Sequence, residues 1–193
     1  MQIQRLPAEE ATVERVVNEL WLPYNRELES TVDQFALADD VDLVAEEVSF
    51  RLDRLEDDGY RAWVAVDTSQ TTGEETSADA SPATDGATTD ATLEASLATT
   101  DATLAGFVTT ELDESPSVFA RPDRLVIGDI YVRQPYRGSG LAERLVDRAS
   151  ARARECGCGE VTLEVDVDND RARAFYRKLG FETYRLVQSL PVE

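Results

Sequence analysis

The sequence predicts a single α/β domain on a mixed sheet, with elements in the order β-α-α-β-β-β-α-β-α-β. Three observations predict it. The chain has 193 residues, 42% of them hydrophobic, enough for one core and short for two. Strands run together in mid-chain and then alternate with helices. Between Ile127 and Val146 a strongly apolar strand feeds straight into a glycine-rich loop and a helix.

Ile3 to Leu6 opens as a short strand, and Pro7-Ala8-Glu9-Glu10 starts a helix with acidic residues in its first turn. Val13, Val16, Val17, Leu20 and Trp21 recur at helical spacing through it. A second helix spans roughly Val41 to Glu56, with Leu43, Val44, Val48, Leu52 and Leu55 on one side, until Gly59 breaks it. Tyr60 to Val66 is rich in aromatic and β-branched residues, hence a strand. The 37 residues from Thr68 to Leu104 carry no basic and no aromatic side chain. Too little apolar surface is available there to offset ordering, so residues 68–104 are expected to be a solvated, acidic, low-complexity insertion in the one domain 1–193. The flanking strands, Tyr60–Val66 and Leu104–Thr110, would form a hairpin without it. Leu125 to Val132 reads as a central strand. In the next helix Leu141, Leu145, Val146, Ala149 and Ala153 share a face, and Gly157 and Gly159 end it. Val161 to Val167 alternates as a strand, Asp168-Asn169-Asp170 offers an N-cap, and Gly180 suits a left-handed C-cap. Phe181 to Leu190 is expected as a last strand.

Composition excludes several kinds of chemistry. With 39 acidic and 19 basic residues the net charge is −20, which disfavours nucleic acid and suits the hydrated surface of a protein in a halophilic cytoplasm. No apolar run approaches the ~18–20 residues of a membrane span. Met1 to Leu6 lacks the layout of a signal peptide, so a cytoplasmic address is expected. Histidine is absent, which excludes Ser-His-Asp and Cys-His catalysis and histidine zinc sites. Cys156 and Cys158 supply two soft ligands where structural zinc wants four; they are expected to be buried free thiols, with no metal.

The segment Arg137-Gly138-Ser139-Gly140-Leu141-Ala142 joins a strand end to a helix start. Free backbone N–H groups there meet the positive end of the helix dipole, a place for phosphate or pyrophosphate. Neither the Gly-Lys-Ser/Thr ending of a P-loop nor a G-x-G-x-x-G pattern is present. Val132 to Ala142, with Arg137-x-x-Gly140-x-Ala142, resembles the R/Q-x-x-G-x-G/A motif of the GNAT N-acetyltransferase superfamily. Asn169 to Phe181 resembles a second block, N-x-x-A-x-x-F-Y-x-K-L-G-F, and together the two cover Leu125 to Phe181.

The resemblance implies a GNAT-type sheet whose fourth and fifth strands splay apart. It also implies acetyl-CoA as cofactor and direct transfer of an acetyl group to a primary amine, small-molecule or protein, in a ternary complex. Backbone amides from Arg137, Gly138, Ser139, Gly140, Leu141 and Ala142 would hold the pyrophosphate. The main chain of Ile130 and Val132 would pair with the pantetheine, Asn169 would hydrogen-bond it, and Tyr176 would protonate the departing thiolate. Asn169 as a plain N-cap, Tyr176 as a packing residue and Arg137 as a surface charge stand beside these roles. In one family branch a Glu-Asp pair on the central strand includes the base; here Gly128 replaces the Glu and Asp129 remains. Asp129 acts through a water, binds the amine as counter-ion, or is structural, with Glu164 and Asp166 as lower-ranked candidates. Glu27, Glu29 and Asp33 are acidic residues able to attract a cationic acceptor. A non-catalytic acyl-CoA-binding module of the same fold is the alternative. A homodimer is compatible with the fold, and no sequence feature sets its interface.

Overall fold

The computed structural model describes residues 1–32, 35–68, 97, 102–190 and 192. Among them β1 (Gln2–Arg5), β2 (Tyr60–Asp67), β3 (Thr103–Asp113), β4 (Arg124–Val132) and β5 (Glu160–Leu163) form one sheet in that order. The first four pair antiparallel, and β4 pairs with β5 in parallel. The helices are α1 (Glu10–Val16), α2 (Leu22–Glu29), α3 (Leu43–Glu56), α4 (Leu141–Glu155) and α5 (Asp170–Lys178).

Strand alternation divides the core into two layers. On one face Tyr60, Ala62, Val64 and Val66 of β2 pack with Val13 and Val16 of α1, Leu20 just beyond it, and Val48 and Leu55 of α3. On the other, Trp63 and Ala65 pack with Leu141, Leu145, Val146, Ala149 and Ala153, the apolar stripe of α4. The first helix does not stop at Trp21. A π turn, Val17–Trp21, carries it into α2, with the Leu22 N–H reaching back to the Val17 carbonyl. Pro23 has no N–H, and its ring crowds the carbonyl four residues earlier, so the wider turn accommodates it. The extra helix brings Tyr24 against Phe107 and Tyr131, with ring centroids 6.1 and 5.7 Å away.

Two departures from regular pairing shape β4. Its ladder with β5 closes at Ile127↔Leu163. Beyond that the expected strand to Val167 gives way to a turn: Asp166 accepts from the Asp168 N–H through its carboxylate (2.9 Å) and from the Asn169 N–H through its carbonyl (3.2 Å). The fourth and fifth strands therefore splay after Ile127. On the β3 side, Val108 pairs with Ile130 and Thr110 with Ile127, so Gly128 and Asp129 together oppose Thr109. This is a β-bulge, and it reverses the alternation. Leu125 and Ile127 face α4, yet so do Ile130 and Val132. Asp129 is thereby turned to the opposite face, toward α2 and α3. Its N–H donates to Thr109 Oγ1 at 2.7 Å. A Cβ at Gly128 would lie 2.9 Å from that same oxygen.

Three expectations need correction. Residues 181–190 form no strand: β5 is too short to carry a long neighbour, and Leu186, Val187 and Leu190 are exposed. Most of the insertion 68–104 lies outside the described residues, but its described Leu97, Ala102 and Leu104 are buried core residues, so that end is not solvated. Arg15 holds it by donating to the Leu97 carbonyl (3.1 Å) and to that of Ala102. Cys156 is exposed and Cys158 half-buried, because Gly157, at φ +73°, turns the chain outward after α4. Among the described residues no cluster of His, Cys, Asp or Glu could hold a metal. No described helix is long and apolar enough to cross a membrane.

Arg152 clamps α4 to the sheet. Buried over the Trp63 ring, it donates to Thr110 Oγ1 (2.9 Å) and to the Gly59 (2.8 Å) and Asp58 (3.2 Å) carbonyls. Arg152→Met strips those acceptors of a charged donor and is expected to cost about 2–4 kcal/mol, read as a lower urea midpoint at unchanged m-value.

Candidate active site

Where β4 and β5 part, a cavity of about 430 Å³ opens. Ile130, Tyr131 and Val132 line it from β4, and Arg137, Gly138 and Gly140 from the following loop. Leu141, Ala142 and Glu143 of the first turn of α4 continue the wall. Asn169, Arg171, Ala172, Phe175, Tyr176 and Lys178 close the side of α5. Of the sequence-derived candidates, Ile130, Val132, Arg137, Gly138, Gly140, Leu141, Ala142, Asn169 and Tyr176 thus share one cavity. Ser139 is not part of its lining, since its hydroxyl donates to the Tyr136 carbonyl at 2.7 Å and pins the loop. Asp129 sits beside the lining, and Glu164 and Asp166 lie outside it.

Local geometry gives the loop an open face lined by backbone N–H groups. Gly138 and Gly140 have φ of +77° and +81°, a region that disfavours any side chain. A Cβ on either would meet no atom within 4 Å, so the space above the loop is open. The first helical bond of α4 runs from the Arg144 N–H to the Gly140 carbonyl, at 3.1 Å. The N–H groups of Leu141, Ala142 and Glu143 precede it, and so have no acceptor within the helix. Arg137, Arg171 and Lys178 gather in the same cavity of a chain with net charge −20. Beyond Ile127, β4 has no β5 partner, leaving an open main-chain edge. One group on it, the Val132 carbonyl, accepts from Arg137 Nε at 2.9 Å.

The sequence profile of the Acetyltransferase (GNAT) family matches residues 17–181. The chain belongs to that family. Over 55 residues it is 51% identical to the N-alpha-acetyltransferase MAK3 of Arabidopsis thaliana, a match covering 28% of this chain and 29% of that protein. Over 81 residues it is 40% identical to streptothricin acetyltransferase of Streptomyces lavendulae, covering 42% and 40% respectively. The alignments therefore span less than half the length of these relatives. Among solved structures, a tetramutant of the BH1408 protein from Bacillus halodurans superposes with a TM-score of 0.68 at 14% identity, over the whole of both chains. AAC(6')-Iy in complex with the bisubstrate analog CoA-S-monomethyl-acetylneamine gives 0.60 at 13%, over 100% of this chain and 97% of that one. At such identities the likeness is one of fold.

Within this GNAT chain the side chains around the cavity divide clearly. Phe175 packs on the α4 layer of the core, which frees Tyr176 to face the cavity. Burial, and next the charge of Asp129, push the Tyr176 phenol up to about 12. Burial raises Tyr131 to about 12 as well, with Glu27 adding to it, and Tyr24 is raised by burial, then by Asp129 and Tyr176. Asn169 is the N-cap of α5, its Oδ1 accepting from the Ala172 N–H at 3.1 Å while its side-chain amide keeps its donors. Glu27 is no free attractor of cations: it accepts from Tyr131 Oη at 2.8 Å and pairs with Arg137. Glu29 is paired with Arg26, and Asp33 lies outside the described residues. Sequence reasoning passed over Arg171 and Lys178 as cavity residues. Their spacing of seven on α5, with Phe175 between, was the available sign that they share a face.

The raised phenols make stability pH-dependent. Their folded values exceed the unfolded value near 10, so between about pH 10 and 12 the unfolded state releases protons that the folded state keeps. The contribution is complete below pH 10 and is lost above it. Urea midpoints are expected to be flat in these groups up to pH 10 and to fall beyond it, and tyrosinate absorbance should rise later in native than in unfolded protein.

Proposed function

We propose that the chain is an acetyl-CoA-dependent N-acetyltransferase that transfers the acetyl group to a primary amine by direct attack in a ternary complex. One observation carries this reading: the glycine-lined N-terminus of α4, the open edge of β4 and the Tyr176 hydroxyl face a single cavity. The residues fit the cofactor, because the cradle is open, rich in N–H donors and bordered by three cations. When bound there, acetyl-CoA supplies an activated acyl group. The relatives support the reading, since one is an N-alpha-acetyltransferase and the other a streptothricin acetyltransferase.

In this reading Leu141, Ala142 and Glu143 donate their N–H groups to the pyrophosphate, and Arg171 and Lys178 balance its charge. Ile130 and Val132 pair with the pantetheine, and Asn169 donates to it from Nδ2. Asp129 receives the incoming ammonium as a counter-ion. Once the ammonium has lost a proton to water, the amine nitrogen would bond to the acetyl carbonyl carbon as the C–S bond breaks, and its second proton would leave to solvent as the amide forms. Tyr176 supports the departing sulfur. A phenol near 12 is a weaker acid than a thiol near ~8.5, so outright proton transfer from Tyr176 is uphill. The hydroxyl therefore acts as a hydrogen-bond donor that stays protonated through the step, and the thiolate takes its proton from solvent. The acidic surface, in turn, would keep the protein soluble in a salt-rich cytoplasm.

Calorimetric titration with acetyl-CoA in several molar KCl tests the reading. Wild type is expected to bind, and Gly140→Trp, which fills the cradle, to lose binding by at least ~100-fold. Tyr176→Phe should keep cofactor affinity and lose about 100-fold in kcat, followed as CoA release across an amine panel. A folded wild type that binds no acetyl-CoA sinks the proposal. Binding without transfer to any amine would leave the non-catalytic module standing instead. Thermal midpoints should rise from about 0.1 M to several molar KCl as the surface repulsion is screened.

A further inference from the structure

Arg51 is among the most deeply buried side chains of the protein, at 1% exposure, and it is charged. From α3 it reaches across the sheet. Its Nε donates to Glu47 Oε1 at 2.7 Å, one Nη to Tyr60 Oη at 3.2 Å and the other to Asp129 Oδ2 at 3.3 Å. Its guanidinium lies 5.5 Å from the centre of the Phe107 ring. Burial works against its charge, and Tyr60, Glu47 and Asp129 together outweigh that, so the guanidinium is held above its ordinary value.

Stability alone is a poor account of this cluster, because a buried ion pair contributes little net over an apolar replacement. Its arrangement suits another task. Asp129 stands on the β-bulge, beside Gly128, with its N–H held by Thr109 Oγ1. Its carboxylate is only half-buried, and its charge is felt at the Tyr24 and Tyr176 hydroxyls. We propose that Arg51 is a positioning residue for acyl transfer, fixing the Asp129 carboxylate where the amine is received, and that Glu47 cancels the charge of Arg51 so that Asp129 keeps its own. Two carboxylates share one guanidinium, and the surplus negative charge is directed at the transfer point. The acceptor class that follows is an aliphatic amine arriving as a cation, in preference to a neutral arylamine. This inference rests on the acetyltransferase reading above.

The test uses the full chain, with the alkylamine and the arylamine that release CoA fastest from wild type. The double variant Arg51→Met, Glu47→Gln removes one charge of each sign and strands neither partner. It is expected to bind acetyl-CoA within ~2-fold of wild type and to raise the KM for the alkylamine at least ~10-fold, with little change for the arylamine. Asp129→Asn should show the same loss, and adding the double variant to it should bring no further loss. Glu47→Gln alone, which is isosteric, leaves Arg51 to cancel Asp129 and should raise the alkylamine KM at least ~5-fold; this variant decides the matter if the double one does not fold. Unchanged alkylamine KM in the folded variants, or losses that multiply with that of Asp129→Asn, overturns the positioning role while leaving the acetyltransferase reading intact. A wild type that binds no acetyl-CoA overturns both.

Discussion

The site depends on the point where β4 stops being an ordinary strand. Four ladder pairs hold it to β5, from Arg124↔Glu160 to Ile127↔Leu163, and then the strands part. In the next two residues the bulge at Gly128 and Asp129 reverses which side chains face which layer. Parting creates the cavity and bares a main-chain edge along it. Reversal sends Asp129 to the face shared by α2 and α3, while Ile130 and Val132 stay in the α4 layer. Neither event would suffice alone: without the first there is no room, and without the second the carboxylate faces the wrong layer.

The surrounding elements then serve this break. Arg152 ties α4, whose N-terminus lines the cavity, to the start of β2 and to Thr110. The π turn just before Pro23 extends the first helix far enough to set Tyr24 and Glu27 beside β4. Arg51 and Arg152, two of the buried arginines, use the several donors of a guanidinium on fixed acceptors, which a lysine ammonium could not match. The chain has a single lysine, Lys178, and it lies at the cavity. Positive charge is scarce in this protein, and even at the cavity Lys178 is paired with Glu143 and Arg137 with Glu27.

Much of this was legible beforehand. The spacing Arg137-x-x-Gly140-x-Ala142 located the glycine loop that opens α4, because a glycine turn at a helix start needs no tertiary partner to be recognised. The block from Asn169 to Phe181 located the opposite wall. The strand expected over Phe181–Leu190 failed for the complementary reason: a strand exists only if an edge receives it, and β5 ends after four residues. Leu97 closes the run Thr92-Leu93-Glu94-Ala95-Ser96-Leu97, whose weak alternation suggests an extension of the hairpin and says nothing of burial, and only the packing of Arg15 against that segment shows where it goes.

What the sequence determined by itself is whatever depends on neighbours along the chain: helix faces, glycine turns, the cap at Asn169, the loss of histidine chemistry and the excess of negative charge. What only the tertiary structure decided is where residues distant in sequence meet. Arg51 and Asp129 are 78 positions apart, and Glu27 and Arg137 are 110. Alternation along β4 would have set Asp129 on the face of Leu125 and Ile127. One extra residue against Thr109 overrules it, and a bulge follows from how two strands fit together rather than from either strand alone.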